Sequence, residues 1–208
     1  VTATLRLREG DAGRLRATDE FGRVLPLQVV THRRPLPGRS DGHYDEAHLT
    51  VCTPLASLGL STVRLDTEGG STAAEDHVYA VGVTRTAQTI SLSNGLVTLE
   101  VTEAGALTLV DPTTGERRDL HLRFEDEADV GDEYDYSPPA DAAAAATLSF
   151  ATPTGAPTLV ADGPVRATVR LSYLLRLPQR ISEDRLLREG EVEMPVTLDV
   201  GLDAGTHR

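Results

Sequence analysis

The sequence predicts an all-β protein, in which a small antiparallel β unit is followed by a larger one. Apolar residues recur with a period of two in several runs, as they do in strands buried on one face. Turn residues separate these runs at short intervals, and short connections join antiparallel strands rather than parallel ones. Helical periodicity is scarce, so we expect no helical layer.

Five alternating runs predict individual strands. The longest spans residues 165–177 and is broken only by Leu174, which predicts one long half-buried strand. Shorter runs occupy residues 3–7, 97–101, 120–124 and 196–202. Turns are expected at 19–22, 93–95, 103–105 and 111–115, where Gly, Asn, Asp and Pro cluster. Residues 141–147, which are rich in alanine, and residues 182–189 are expected to be irregular.

A domain boundary is predicted where alternation gives way to Gly, Ser, Thr and charge, at residues 68–76 and 84–88. We therefore predict a small β-sandwich domain over residues 1–84. The first part of a larger domain would occupy residues 85–208.

Composition narrows the classes of partner. The formal net charge is -12, and all 20 basic residues are Arg. Such a balance repels phosphate backbones and anionic lipid, so we expect neither nucleic acid nor membrane as a partner.

Cys52 is the only cysteine, which excludes an intrachain disulfide and indicates a packed thiol. No signal peptide is visible, which predicts a cytoplasmic location, and the start without Met indicates a piece of a longer protein.

One segment has the elements of a zinc site but the wrong spacing. Residues 42–48 contain two imidazoles and two carboxylates, yet His43 and His48 are five apart rather than four. Pro35, Pro37 and Gly38 precede them and favour a solvated loop over metal binding. The other histidines, His32 among them, occur singly, and we assign none a catalytic role.

The acidic segment 125–135 is the strongest candidate for a functional surface. It carries seven carboxylates in eleven residues and leads into Tyr136 and Pro138. Paired carboxylates perform acid-base work in glycosidases, and clustered oxygens bind calcium, but most charge runs are solvated faces. Tyrosine rings next to a Pro-Pro stop form a rigid polar and aromatic surface suited to contact with sugars.

The same region carries a family resemblance. The segments 94–101, 105–115, 122–126 and 131–139 resemble, in order and spacing, consecutive landmarks of bacterial glycoside hydrolase family 38 α-mannosidases. Segments 22–28, 54–59 and 163–166 fit the regions around them. The specific motif is 131–139, with the sequence Gly-Asp-Glu-Tyr-Asp-Tyr-Ser-Pro-Pro.

The resemblance implies a small β-sandwich followed by a galactose mutarotase-like supersandwich, both lying after the catalytic domain. It implies that zinc and the nucleophilic Asp belong to the parent enzyme outside this chain, and that the fragment alone is inactive. It also implies a loop that reaches the sugar site, where Tyr134 is the first substrate-binding candidate and Asp132, Glu133 and Tyr136 are weaker ones. The implied partners are an α-mannoside and the parent's own catalytic domain, and homo-oligomerisation stays open.

Two alternatives remain at this stage. One is a stand-alone carbohydrate-binding or adhesive β-sandwich, because this architecture serves many functions. The other is a mutarotase-like enzyme, which the shared supersandwich suggests, although no His/Glu pair for that chemistry is evident.

Overall fold

The computed structural model describes residues 1–38, 41–54, 59–67, 80–122, 124–138, 146–149 and 152–205, with backbone alone at 146–149. Within these ranges the regular structure is strand apart from one 3₁₀ helix at Ala12–Arg14, which confirms the all-β prediction. The strands are β1 (Thr2–Arg8), β2 (Arg16–Thr18), β3 (Val24–Leu25), β4 (Leu27–Pro35), β5 (His43–Val51), β6 (Arg64–Asp66), β7 (Gly82–Arg85), β8 (Thr89–Ser93), β9 (Thr98–Thr102), β10 (Leu107–Val110), β11 (Arg117–Leu120), β12 (Phe124–Glu127), β13 (Ala146–Ser149), β14 (Thr152–Pro153), β15 (Thr158–Ala161), β16 (Arg166–Leu177), β17 (Arg180–Ile181), β18 (Arg188–Glu189) and β19 (Val192–Asp203).

The first unit packs two three-stranded sheets, in the orders β1-β5-β4 and β3-β2-β6. Its pairings are antiparallel throughout. Ala47, Leu49 and Val51 are the buried residues of β5, and they alternate with outward-facing residues, as the pleat of a strand requires. Leu27 and Leu65 pack against both small clusters of buried residues and so join the two sheets.

The second unit is a larger sandwich. A five-stranded sheet, in the order β11-β10-β9-β8-β7, faces a second sheet in which β16 pairs with β14 and β15 on one side and β19 on the other. The inward residues of both sheets share one core, which holds Val81, Leu92, Leu99, Val101, Leu107, Ala167, Val169, Leu171, Tyr173, Leu202 and Ala204. The predicted strands at 165–177 and 196–202 are confirmed as β16 and part of β19.

The outer face of β16 and β19 carries ion pairs in register. Arg166 lies opposite Asp203, and Arg170 lies opposite Asp199. Both pairs are bidentate, with nitrogen–oxygen distances of 2.5 and 2.7 Å for Arg166 and 2.7 Å twice for Arg170. Farther along, Arg176 lies 3.5 Å from the carboxylate of its opposite residue, Glu193. Each of these guanidinium groups therefore faces its own carboxylate, and this face is electrically balanced.

Asn94 ties the two sheets of the larger sandwich together. It occupies the predicted turn between β8 and β9 and is only 1% exposed. Its side-chain carbonyl accepts the backbone N–H groups of Leu96 and Val97, both at 3.0 Å. Its amide nitrogen donates to the carbonyl of Asp203 at the end of β19, at 2.8 Å. One buried side chain thus closes a turn and joins two sheets.

The two units meet through a few specific contacts. The backbone N–H of Arg166 donates to Oε1 of Gln28 at 2.8 Å. The thiol of Cys52 is half-buried and lies 3.9 Å from the carbonyl oxygen of Ala204, against the core of the larger sandwich, which agrees with the packed position predicted for it. A cleft of about 430 Å³ lies between the units beside these contacts. Among the described residues, no helix has the length and apolar character to span a bilayer.

Several local predictions were wrong. Residues 42–48 are not a loop, because β5 begins at His43; His43 and His48 therefore point to opposite faces of a sheet. The run 120–124 is not one strand, because β11 ends at Leu120 and β12 begins at Phe124. Both segments predicted to be irregular contain strand residues, because β13 begins at Ala146 and β18 spans Arg188–Glu189.

Other predictions lie partly outside the described residues. These are the boundary segment 68–76, part of the segment 54–59, the alanines at 141–145 and Pro139. The division at residue 84 stays a prediction, and strand β7, which pairs with β8, spans that position.

Candidate functional site

The predicted sugar-contact motif lies on one exposed loop, residues 128–138, which we call the tyrosine loop. It follows β12, which pairs with β13. Ala128 is 4% exposed and anchors the start of the loop in the protein. The backbone N–H of Val130 donates to the carbonyl of Ser137 at 2.9 Å, which closes the loop on itself.

Two aspartates hold the tyrosine loop from within. Oδ1 of Asp129 accepts the backbone N–H groups of Gly131, at 2.9 Å, and Ser137, at 3.0 Å. Oδ1 of Asp132 accepts those of Tyr134, at 2.9 Å, and Asp135, at 3.0 Å. Because these bonds favour the ionised carboxylates, they lower the pKa of both aspartates.

Gly131 is required by close approach of the backbone. A Cβ placed on it would overlap the carbonyl oxygen of Asp135. The sharp fold of the loop therefore depends on the absence of a side chain at this position.

A second segment clamps the tyrosine loop from outside. The turn between β17 and β18 presents Arg185, whose guanidinium donates to the carbonyl of Val130 at 2.7 Å. Arg188 forms an ion pair with the carboxylate of Asp126 and donates to the carbonyl of that residue at 3.0 Å. The Arg188 side chain is only 11% exposed, so this contact is shielded from solvent.

The four predicted site residues lie together but differ in what holds them. Tyr134 is 84% exposed, and only its backbone is engaged by Asp132. Tyr136 is 60% exposed, and its hydroxyl donates to Oε2 of Glu127 at 3.2 Å. Partial burial and then the Glu127 charge raise the pKa of the Tyr136 phenol. Glu133 is also exposed, the Asp132 carboxylate is bonded to the backbone, and Tyr134 is the more exposed of the two tyrosines.

The two aspartates that hold the loop do not have the electrostatics of a glycosidase general acid. A glycosidase general acid needs a raised carboxyl pKa, whereas the pKa values of Asp129 and Asp132 are lowered. Across the part of the chain that the structure describes, no three His, Cys, Asp or Glu side chains are grouped to hold a metal ion.

Sequence reasoning missed the residues that shape the loop. Asp129 carries a local signal, because an Asp two residues before a Gly is typical of a side-chain-capped turn. Arg185 and Arg188 carry none, because they contact residues 55 and 62 positions earlier in the chain.

Comparison with solved structures finds proteins that share this fold. The chain superposes on an α-mannosidase from Enterococcus faecalis V583 with a TM-score of 0.61 and 18% identity, over 99% of this chain and 27% of that one. A protein in glycosyl hydrolase family 38 from Enterococcus faecalis gives a TM-score of 0.63 at 18% identity, over 99% of this chain and 28% of that one. No protein-family model and no curated protein sequence matches. The chain thus shares its fold with about a quarter of each of these two proteins.

Proposed function

We propose that this chain is the post-catalytic β-sandwich region of a retaining, zinc-dependent α-mannosidase of glycoside hydrolase family 38. The observation that carries the proposal is the fold match over 99% of the chain to about a quarter of two structures, one described as an α-mannosidase and one as a family 38 protein. The motif at 131–139 supports it, because that segment forms a shaped and exposed loop as far as the structure describes it.

The proposal assigns the chemistry to a catalytic domain outside this chain. In the proposal the zinc ligands all belong to that domain, and this chain supplies none. A retaining glycosidase forms and then hydrolyses a covalent glycosyl-enzyme intermediate. We assign the nucleophile of that step, like the zinc, to the catalytic domain, and the substrate is a terminal α-mannoside.

The role proposed for this chain is recognition by the tyrosine loop. The Tyr134 hydroxyl is exposed, while the backbone beneath it is fixed by Asp132 and by Gly131. A phenol on a rigid loop can donate a hydrogen bond to a sugar, or to the catalytic carboxylate, at a small cost in entropy. Tyr136, whose hydroxyl is bound to Glu127, is assigned to the support of the loop.

The test compares Tyr134→Phe with the matched variant Tyr136→Phe in the protein that carries the catalytic domain. Loss of one hydrogen bond to a charged or reacting group costs about 1.5–3 kcal/mol, so kcat for an aryl α-mannoside should fall roughly 10- to 100-fold in Tyr134→Phe. The thermal midpoint should not change. Unchanged kinetics in Tyr134→Phe would show that the loop does not serve the sugar site.

Two further observations separate this proposal from a stand-alone binding module. Isothermal titration of the 208-residue chain with mannose and oligomannosides should show no strong binding, because the proposed sugar site is completed by another domain. Strong binding would favour the module. The sequence encoded ahead of this region should contain a His and Asp cluster for zinc, and its absence would end the enzymatic assignment.

A further inference from the structure

The outer face of the sheet β1-β5-β4 carries an excess of positive charge, unlike the protein as a whole. Outward-facing positions on the two flanking strands bring Arg6, Arg8, His32 and Arg34 beside Tyr44, Glu46 and His48 of the central strand. Among these residues three guanidinium groups face one carboxylate. The face therefore has two positive charges in excess, although the whole chain has a formal net charge of -12.

The single carboxylate on this face, that of Glu46, is already paired within the protein. Oε1 of Glu46 lies 3.1 Å from the Arg34 guanidinium and 3.5 Å from Nε2 of His48. The hydrogen bond from Arg34 lowers the pKa of Glu46, so this group stays ionised and bound. Arg6 instead lies over the ring of Tyr44, with 5.6 Å between its guanidinium carbon and the ring centroid. Arg6 and Arg8 make no ion pair with any described residue, and their donors face solvent.

The β16-β19 face shows that this imbalance is not a general property of the sheets. There Arg166, Arg170 and Arg176 each lie opposite a carboxylate and pair with it. On the β1-β5-β4 face, by contrast, Arg8 lies opposite Tyr44. On the β16-β19 face each guanidinium group is paired within the protein, whereas the β1-β5-β4 face leaves guanidinium donors for an external anion.

The positive face leads into the cleft between the two units. The rows nearest the cleft carry Thr2, Thr50 and Gln28, which line it together with His48. From His48 to Tyr44 the central strand runs about 13 Å, at about 3.3 Å per residue. A ligand that spans this distance would meet hydroxyl and amide groups at one end and guanidinium groups at the other.

We propose that this face and the adjoining cleft bind a short acidic oligosaccharide, whose anionic groups lie on Arg6 and Arg8 and whose hydroxyl-bearing end enters the cleft. Guanidinium groups bind sulfate, phosphate and carboxylate through paired hydrogen bonds. The Thr and Gln lining suits hydroxyl groups, and among the described residues no Phe, Tyr or Trp side chain lines the cleft to stack a nucleobase. The high negative charge of the rest of the chain repels long polyanions, which favours a short ligand.

This inference does not rest on the proposed function, since it uses neither the tyrosine loop nor a catalytic domain. The probe is a heparin-derived tetrasaccharide, titrated calorimetrically into the 208-residue chain, with uncharged mannotetraose as the neutral comparison. We expect the sulfated probe to bind and the neutral one not to bind. The affinity should fall as salt rises, because the contact is charged and exposed.

The decisive variants are Arg6→Gln combined with Arg8→Gln, and Arg8→Gln alone. The double variant should weaken binding at least tenfold. Arg170→Gln is the matched control, because the guanidinium of Arg170 is already paired with Asp199. The affinity of this variant for the tetrasaccharide should stay within twofold of that of the unmodified chain. The Arg8 side chain is exposed and forms no ion pair with a described residue, so the single variant keeps the test valid if the double variant is unstable.

Three outcomes would overturn the proposal. In the first, the tetrasaccharide does not bind to the unmodified chain. In the second, Arg8→Gln and Arg170→Gln bind it with equal affinity. In the third, a single-stranded oligonucleotide of equal charge binds as tightly as the sugar. The last result would indicate a nucleic-acid surface instead. Tyr134→Phe should leave this binding unchanged, which separates the result from a failure of the mannosidase assignment.

Discussion

The turn at Asn94 and the tyrosine loop use the same local chemistry in opposite surroundings. In each, a side-chain oxygen accepts two backbone N–H groups two and three residues ahead, Asn94 for Leu96 and Val97, and Asp132 for Tyr134 and Asp135. Asn94 is 1% exposed and also bonds across to the second sheet. The tyrosine loop lies at the surface and presents Tyr134 with 84% exposure.

The difference teaches that burial decides what such a motif contributes. A buried polar group must be satisfied, so every bond made by Asn94 contributes to the stability of the sandwich. The same bonds at the surface compete with water and contribute little to global stability. At the surface these hydrogen bonds restrict the conformations of the loop, and this reduces the entropy that an exposed side chain loses when it contacts a ligand.

The largest expected effect is that of Asn94→Ala. This variant leaves two N–H groups and the Asp203 carbonyl without their present partner, so the free energy of unfolding should fall by about 2–3 kcal/mol. Urea denaturation measures it. The matched control is Asp111→Ala, which removes a similar cap from an exposed turn and should cost clearly less. Equal losses in the two variants would remove burial as the explanation.

A smaller global effect is expected for Gly131→Ala. The added methyl group collides with the Asp135 carbonyl, so the tyrosine loop must rearrange, while the free energy of unfolding should change by less than about 1 kcal/mol. NMR signals of Tyr134 and Tyr136 should shift. Gly155→Ala is the control, because nothing lies within 4 Å of a Cβ at that position. Unchanged tyrosine signals in Gly131→Ala would contradict the described backbone of the loop.

The smallest effect is an acid transition confined to the tyrosine loop. The pKa values of Asp129 and Asp132 are lowered in the folded protein, so their stabilising bonds are complete above the ordinary aspartate pKa of about 3.9. These bonds are lost as the pH falls through the lowered values. The backbone N–H signals of Tyr134 and Ser137, which are bonded to these carboxylates, should therefore change chiefly below about pH 3.9 when they are recorded from pH 7 to pH 2.

Asp129→Asn separates the two aspartates in this titration. It keeps an acceptor oxygen but removes one titrating group, so the acid-dependent change should become smaller. A transition of full size in this variant would assign the effect to Asp132 or to the rest of the chain.

The repeating parts of the fold follow from the sequence because they depend on local pattern. Strand β16 and most of β19 alternate over enough residues to be predicted, and the four turns carry the residues that their backbone needs. Strand β5 was missed because its inward positions begin with His43 and Asp45, which hide the alternation that Ala47 and Leu49 show.

The candidate site was predictable in position but not in construction. The acidic run and its tyrosines mark the loop, whereas the contacts of Arg185 and Arg188 join residues far apart in the chain. The charge of the β1-β5-β4 face was equally hidden, because it depends on which residues the register places opposite one another. Register arises from the whole sheet, and no single segment contains it.

The position of Cys52 has a practical consequence for experiments on this protein. It is the one thiol of the chain, and its sulfur lies 3.9 Å from the carbonyl of Ala204, where the small sandwich meets the large one. A thiol-directed reagent therefore has a single target, half-covered by the second unit. Its rate of modification depends on how far the second unit covers the sulfur, and a probe attached there would report on this interface without any engineered cysteine.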